Sequence, residues 1–528
     1  MRLLPGASVA HARIRVMLFP RWSHRLLLVI AAAFLLLRFV HLSADYPRNI
    51  RWDDGIATDE GWYASGAVDQ QMWGKPLMVG DMNIGVLMPV WPVIAEVAFR
   101  VGGYGAVSIR AAAVLFFFVC VGLSCLILRR YGAREWIPLL MLALAVNPWG
   151  FAFSRSAFLE FPMVALVLAA ALLIPRATDE GDDGVDFRRL VAAGICVAVA
   201  MLLKTTALVL LPALFYVLLE GVGFRWRAAF GRSLVLLVVA AAVYGPYWYL
   251  VIRTHPQDVA FYISVVPNAM HWKGLRFVAD ASRPFRYGMG SDRLLFALSL
   301  MVIPWSLLWR KARILWRDPL FALAAVWEIS FLGFMVKHNN DPARYFAVTL
   351  PMLVMLVIAV LRHPEVSGRK VRGVLFALLA LDLVGNTVTV SAAMLHPGYS
   401  FRDASAAVAA IVNAEPGHST AVIGDDMHEV SLQSGLRPVN LLFHSGTITE
   451  QMQRYQPGWW LQFSPVDDGR CFREVLSQAY RAEPRGKWTI FYPGQQLILW
   501  KLSPIPGASL PATLTPEQAA ACLPPVYN

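Results

Sequence analysis

Adjacent carboxylates stand in the stretch Thr58-Asp59-Glu60-Gly61-Trp62-Tyr63-Ala64-Ser65-Gly66, just after the first long apolar run. A carboxylate at a membrane surface can accept a proton from a reacting group. Three other segments carry ionisable residues at the edges of apolar runs. In Phe153-Ser154-Arg155-Ser156-Ala157-Phe158-Leu159-Glu160-Phe161-Pro162, Arg155 and Glu160 flank the start of a run. Lys204-Thr205-Thr206 interrupts another. Lys337-His338-Asn339-Asn340-Asp341-Pro342-Ala343-Arg344-Tyr345 opens a third. An ionisable residue set among apolar spans is a functional candidate by default.

Structural roles compete with these. Arg155 can snorkel to the interface, and Glu160 suits a helix N-terminus, where the dipole favours an anion. A lone lysine between helices can be an interfacial anchor. Two neighbouring acids in a loop can simply be solvated. The order and setting of the four segments together carry the functional reading.

The elements that must hold these residues follow from composition. The 528 residues are 57% hydrophobic and only 16% charged, where a soluble chain averages about 25% charged. Mean hydropathy is +0.52. Repeated apolar runs near the length of a bilayer crossing predict a polytopic helical membrane protein. The net charge of +12 does not point to nucleic acid, because Lys and Arg fall mostly between apolar runs, as in loops facing anionic lipid. The basic residues 1–24 form a cytoplasmic N-terminus, and the following run reads as a signal anchor rather than a cleaved leader.

Spans are expected near 25–43, 106–129, 135–153, 157–174, 189–203, 205–220, 231–252, 292–309, 319–336, 345–361 and 371–393. The run 86–101 contains Pro89, Pro92, Glu96 and Arg100. If it lies in the interface, the basic N-terminus, Arg129-Arg130, Arg225 to Arg232, Arg310-Lys311 and Arg362 to Arg372 share one side. If it crosses, they do not. The interfacial reading leaves about 11 transmembrane helices in a domain at 25–393, with an outer loop at 44–105. It puts Asp59, Glu60, Arg155, Glu160, Lys204, the loop 254–291, His338 to Arg344 and the tail on the outer face. The loop 254–291 is aromatic (Tyr262, Trp272, Phe277, Phe285, Tyr287) and suits the headgroup layer. Glu328 and Asp382 fall within expected spans and have no assigned role.

From about Phe401 the composition becomes that of a soluble domain. Expected elements are a helix over Phe401–Val412, a strand over Thr420–Gly424, a helix over Glu429–Ser434, a strand over Trp459–Phe463 and a helix over Phe472–Arg481. Strands at Trp488–Tyr492 and Leu497–Leu502 follow, with an extended Pro-rich end after Ser503. The alternation predicts a small α/β domain over 400–528. Cys471 and Cys522 could form a disulfide if this tail lies outside the cytoplasm.

An Asp-Glu pair opening an interfacial helix after the first span resembles the GT-C superfamily of membrane glycosyltransferases. The nearest branch resembles the protein O-mannosyltransferases and the lipid A aminoarabinose transferases. Ser154-Arg155 with Glu160-Phe161-Pro162 is similar to the family's Ser-Arg…Glu-x-Pro segment, and Lys204-Thr205-Thr206 to its Lys-x-Thr segment. His338 with Arg344-Tyr345 is similar to its His-x-Arg-Tyr region, here with an insertion. The resemblance implies transfer of a sugar from a polyprenyl-phosphate donor lipid to an extracytoplasmic acceptor, by direct displacement with inversion. Asp59 would take the acceptor proton, with Glu60 helping to position it. Lys204 and Arg344, then Arg155, Lys337, His338 and Tyr345, would hold the donor phosphate, with Glu160 in support. No cofactor and no essential metal are expected, although Asp53, Asp54 and Asp81 offer metal-ligand oxygens. A bacterial-type inner (plasma) membrane location is implied, with the N-terminus cytoplasmic. The main alternative is a transporter or flippase of lipid-linked glycans, a class that often shows paired repeats and midplane polar sites.

Overall fold

The computed structural model describes residues 21–47, 49–50, 59–176, 183–265, 282, 285, 292–338, 343–441, 447–464, 469–491 and 494–522. The helices are α1 (Arg21–Leu36), α2 (Glu60–Tyr63), α3 (Ser65–Trp73), α4 (Ile84–Leu87), α5 (Val90–Gly102), α6 (Ala106–Arg130), α7 (Ile137–Val146), α8 (Pro148–Ser154), α9 (Glu160–Leu173), α10 (Asp183–Leu203), α11 (Leu211–Gly221) and α12 (Trp226–Leu250). They continue with α13 (Pro256–Val265), α14 (Arg293–Leu308), α15 (Pro319–Lys337), α16 (Leu350–Leu361), α17 (Pro364–Leu395), α18 (Ser400–Asn413), α19 (Met427–Ser434), α20 (Ile448–Tyr455), α21 (Arg470–Glu474) and α22 (Pro516–Ala521). A helix stands at each expected span. Among the described residues, five are long and apolar enough to cross a bilayer, or six if the bent pair α7–α8 is one crossing. Four of the other expected spans are shorter apolar helices, α9, α11 with its preceding 3-10 turn, α14 and α16, while α10 has 21 residues.

The run 86–101 becomes α5, whose 13 residues are too few to span a hydrocarbon core at 1.5 Å per residue. It packs along α6 and α3. Of the aromatic loop 254–291, the described part includes α13; Trp272, Phe277 and Tyr287 lie outside the described residues, as do Asp53 and Asp54.

The break between α7 and α8 is bent by 64°. Asn147 caps α8, its side chain accepting from Gly150 N at 2.8 Å, and Pro148 opens the new helix. A helix end leaves carbonyls without intrahelical donors. The buried Arg38, just beyond α1, answers them by donating to Ala145 O at 2.8 Å and Leu144 O at 3.1 Å. At the opposite end of the bundle, basic residues tie the loops together. Arg176 donates to Arg130 O and pairs with Glu220, and Arg362 and His363 meet Asp318.

The C-terminal part is a five-stranded sheet in the order β2-β1-β3-β5-β4. The strands are β1 (Ala421–Gly424), β2 (Arg437–Asn440), β3 (Trp459–Ser464), β4 (Tyr480–Thr489) and β5 (Gln496–Pro504). β1 runs parallel to β2 and β3, while β5 is antiparallel to β3 and β4. Three expectations differ from this, the first being the strand expected at Trp488–Tyr492, which belongs to β4 and ends at Thr489. The segment Phe472–Arg481 is helical only through Glu474, with a 3-10 turn at Leu476–Gln478, and Tyr480 already begins β4. The end after Ser503 is not wholly extended, because it carries α22, which a Cys471–Cys522 disulfide fastens beside α21.

Candidate active site

The alternating direction of the helices gathers four distant segments at one end of the bundle. α2 begins there with Asp59 at its N-cap, α9 begins with Glu160, α10 ends just before Lys204, and Arg344 lies in the 3-10 turn that leads into α16. Asp59 forms an ion pair with Arg344, and Glu160 forms one with Lys204. The two pairs touch, since Arg344 Nε lies 3.9 Å from the same Glu160 oxygen that holds Lys204. Glu160, Lys204 and Arg344 are buried, whereas the Asp59 side chain keeps 25% exposure. The acid at the mouth is thus the wettest member of the cluster.

Aromatic rings wall the cations. Lys204 Nζ sits 4.3 Å from the Tyr345 ring centroid, and the Arg344 guanidinium sits 5.2 Å from Phe158 and 5.4 Å from Tyr345. Such faces favour a desolvated cation. Tyr63, one turn after Asp59, lies near both cations. Burial pushes its phenol well above the ordinary range, so it stays a neutral hydroxyl.

Glu60 has a different environment. It is fully buried and meets Arg110 of α6 at 2.9 Å through Nε and 2.5 Å through the terminal nitrogen. It also accepts from Ala157 N at 2.6 Å. Arg110 in turn donates to Leu42 O and Ala44 O at 2.8 Å each. The Glu60–Arg110 fork thereby joins α2, α6, the segment that follows α1 and the segment before α9. Arg155 serves the chain that follows α1. It donates to Val40 O and His41 O at 2.7 Å and lines a small pocket with His41, Asp45, Arg110 and His396, with Glu60 at its back. Lys337 is exposed at the end of α15. The His338 ring lies tilted to Phe334 at 4.9 Å and edge-on to Tyr345 at 5.7 Å.

The C-terminal domain enters this end. Gly61 N donates to Glu429 Oε2 at 2.7 Å, and Glu429 Oε1 lies 4.0 Å from Arg110. Asp425 and Asp426 follow β1. Burial, then the charges of Asp425 and Asp59, push the Asp426 carboxyl well above the usual range. Arg110 escaped sequence reasoning because it lies inside an apolar run. Glu429, Asp425 and Asp426 sit far along the chain in a soluble segment, with no motif to tie them to Asp59.

A second buried cluster clasps the domains. Asp69 of α3, Asp81 and His428 of α19 have ligand-type atoms within 4.8 Å of one another, the metal-like grouping found among the described residues. Met427 N donates to Asn440 Oδ1 at 2.8 Å, which turns the Asn440 amide nitrogen toward His428 Nδ1. Nδ1 is therefore the acceptor, and Nε2 carries the proton donated to Asp69 at 2.9 Å. A cation would need Nε2 bare, so the donor set reads as a hydrogen-bonded clasp. Burial raises Asp69 and pushes Asp81 up to about 7.

Comparison with known proteins fits this architecture. Residues 87–249 match the family model described as dolichyl-phosphate-mannose-protein mannosyltransferase. The structure is similar to ArnT from Cupriavidus metallidurans bound to undecaprenyl phosphate, at TM-score 0.58 and 14% identity, over 90% of this chain and 98% of that one. Apo ArnT gives TM-score 0.59 and 16% identity over 91% and 98%. The Archaeoglobus fulgidus oligosaccharyltransferase, in complex with Zn and sulfate, gives TM-score 0.50 and 13% identity over 85% and 68%. No curated protein matches the chain. The chain shares the fold of ArnT, and its segment 87–249 is similar to the protein mannosyltransferase family.

Proposed function

We propose that this protein is a membrane glycosyltransferase that moves a sugar from a polyprenyl-phosphate donor to an acceptor outside the cytoplasm. The observation that carries the reading is the joined pairing of Asp59 with Arg344 and Glu160 with Lys204 at one end of an apolar bundle. ArnT bound to undecaprenyl phosphate supplies the donor class by likeness of fold. The body is 25–393 and the outer domain 400–528, with the N-terminus cytoplasmic. The gathering of basic loops at the far end supports this orientation, as does the Cys471–Cys522 disulfide.

The chemistry is a direct displacement. The donor phosphodiester takes Arg344 and Lys204 as partners, which frees Asp59 from Arg344. An acceptor O–H or N–H attacks the anomeric carbon, and its proton passes to the Asp59 carboxylate. The anomeric C–O bond breaks with its electrons going to the phosphate, and the configuration inverts. The leaving monoester gains a second negative charge, which pre-placed cations stabilise without reorganising. A phosphate monoester has a second pKa near 6, so departure as a dianion needs no metal. His338, Tyr345 and Lys337 line the route to these cations, Glu160 spaces them, and Arg155 supports the pocket behind Glu60.

The test offers purified protein radiolabelled polyprenyl-phosphate sugars together with an envelope extract as acceptor source. Release of free polyprenyl phosphate with label in the acceptor fraction is expected. Movement of intact donor across vesicles with no such release would make the protein a transporter.

A further inference from the structure

We propose that Glu429 of the C-terminal domain is a positioning residue for Asp59, capping α2 from a separate domain; this rests on the sugar-transfer reading. A helix N-terminus leaves its first N–H groups without intrahelical partners. In α2 the Gly61 N–H is answered by Glu429, which is 2% exposed. The approach is close. A Cβ on Gly61 would meet Glu429 N at 2.2 Å and the His428 carbonyl carbon at 2.5 Å, so α19 abuts α2 backbone to backbone. The same turn is closed by Tyr63 N donating to Asp59 O at 2.9 Å. Fixing the Gly61 amide fixes the Glu60–Gly61 peptide, one residue from the Asp59 Cα, inside the turn that the Tyr63–Asp59 bond closes. Arg110 lies between Glu60 and Glu429, so the cap and the Glu60 fork share one cation.

The neighbouring contacts are of an ordinary docking kind. Tyr104 OH meets Ser431 Oγ at 2.7 Å, and His428 meets Asp69. Glu429 differs from them in touching the helix that presents the proposed base. Small displacements of a reacting group cost large factors in rate, on the order of 10²-fold for 1 Å. The C-terminal domain is accordingly a part of the catalytic apparatus, whatever acceptor it also meets.

The experiment uses the full-length protein in detergent with Glu429→Ala, Glu429→Gln and Tyr104→Phe. Hydrogen exchange of the peptide covering 59–64 and donor turnover are read in parallel. Glu429→Ala should speed exchange in that peptide at least about 10-fold and lower kcat about 30-fold with donor KM within about 2-fold. Glu429→Gln keeps a neutral acceptor and should recover most of both. Tyr104→Phe, which loosens the same interface elsewhere, should leave both close to wild type. Unchanged exchange in Glu429→Ala overturns the cap, whether or not the protein transfers sugar. Faster exchange with kcat intact, or equal losses in Tyr104→Phe, overturns the positioning role. Wild-type protein that releases no polyprenyl phosphate defeats the sugar-transfer reading, and the positioning role with it, while the exchange data still decide whether the cap exists.

Discussion

Asp59, at the head of a four-residue helix, is ion-paired with Arg344, which stands at the entrance to a helix far along the chain. The pairing holds the proposed base and a proposed phosphate ligand in contact before any substrate arrives.

Replacing Asp59 with Asn keeps its shape and removes its basicity. General-base losses run to about 10²–10⁴-fold, so kcat for polyprenyl phosphate release should fall by that range while the melting temperature stays within a few degrees. Turnover that is unchanged would remove Asp59 from the base role.

Lys204 and Glu160 are a buried pair, and removing one partner leaves the other uncompensated. Such losses cost about 3–5 kcal/mol. Lys204→Met should therefore unfold at clearly lower temperature than Lys204→Met combined with Glu160→Gln. Both variants should bind undecaprenyl phosphate at least about 10-fold more weakly than wild type, since a charge-assisted contact is worth about 1.5–3 kcal/mol. Donor affinity equal to wild type in both would reduce Lys204 to a structural anchor.

The clasp of Asp69, Asp81, His428 and Asn440 should respond to pH. The folded Asp81 carboxyl titrates near 7 because of burial, above its ordinary value. A raised pKa means that the folded state holds the proton more tightly than the unfolded chain. The stability this contributes is complete below about pH 4 and is lost as pH rises through 7. Asp69, raised by the same burial, adds with the same sign. Thermal unfolding of the full chain should thus occur at lower temperature at pH 8.5 than at pH 5.5. Asp81→Asn should flatten that slope, and an equally steep slope in the variant would contradict the assignment.

The Cys471–Cys522 link spans 51 residues. Chain-entropy reasoning assigns a loop of that length about 4 kcal/mol. Cys522→Ser should loosen α22 and α21, seen as faster proteolysis in the tail, with little effect on the ion pairs around Asp59. Transfer activity lost in step with tail cleavage would show the sheet domain to be coupled to chemistry through this end as well.

Much of this arrangement was legible in the residues. Asp59, Glu160, Lys204 and Arg344 each break an apolar pattern at a helix end, and alternating helix direction puts such ends together. What was not legible depends on contacts between segments. Arg110 looks like one more position in α6, and only its fork to Glu60 gives it meaning. β2 begins Arg437-Pro438, and proline argues against a strand. It is tolerated here because β2 is at the sheet edge. Arg155 carries the right type and spacing, yet its guanidinium is spent on the carbonyls of Val40 and His41. Spacing along the chain does not reveal such a commitment.

One Glu160 oxygen faces both Lys204 and Arg344. On the proposed reading, a lipid phosphate that engages both cations draws Lys204 from Glu160 and Arg344 from Asp59. On that reading, arming of the base is conditional on the first substrate, and an ordered mechanism is predicted in which donor loads before acceptor. With that seat vacant, Asp59 stays paired with Arg344 and an arriving acceptor keeps its proton.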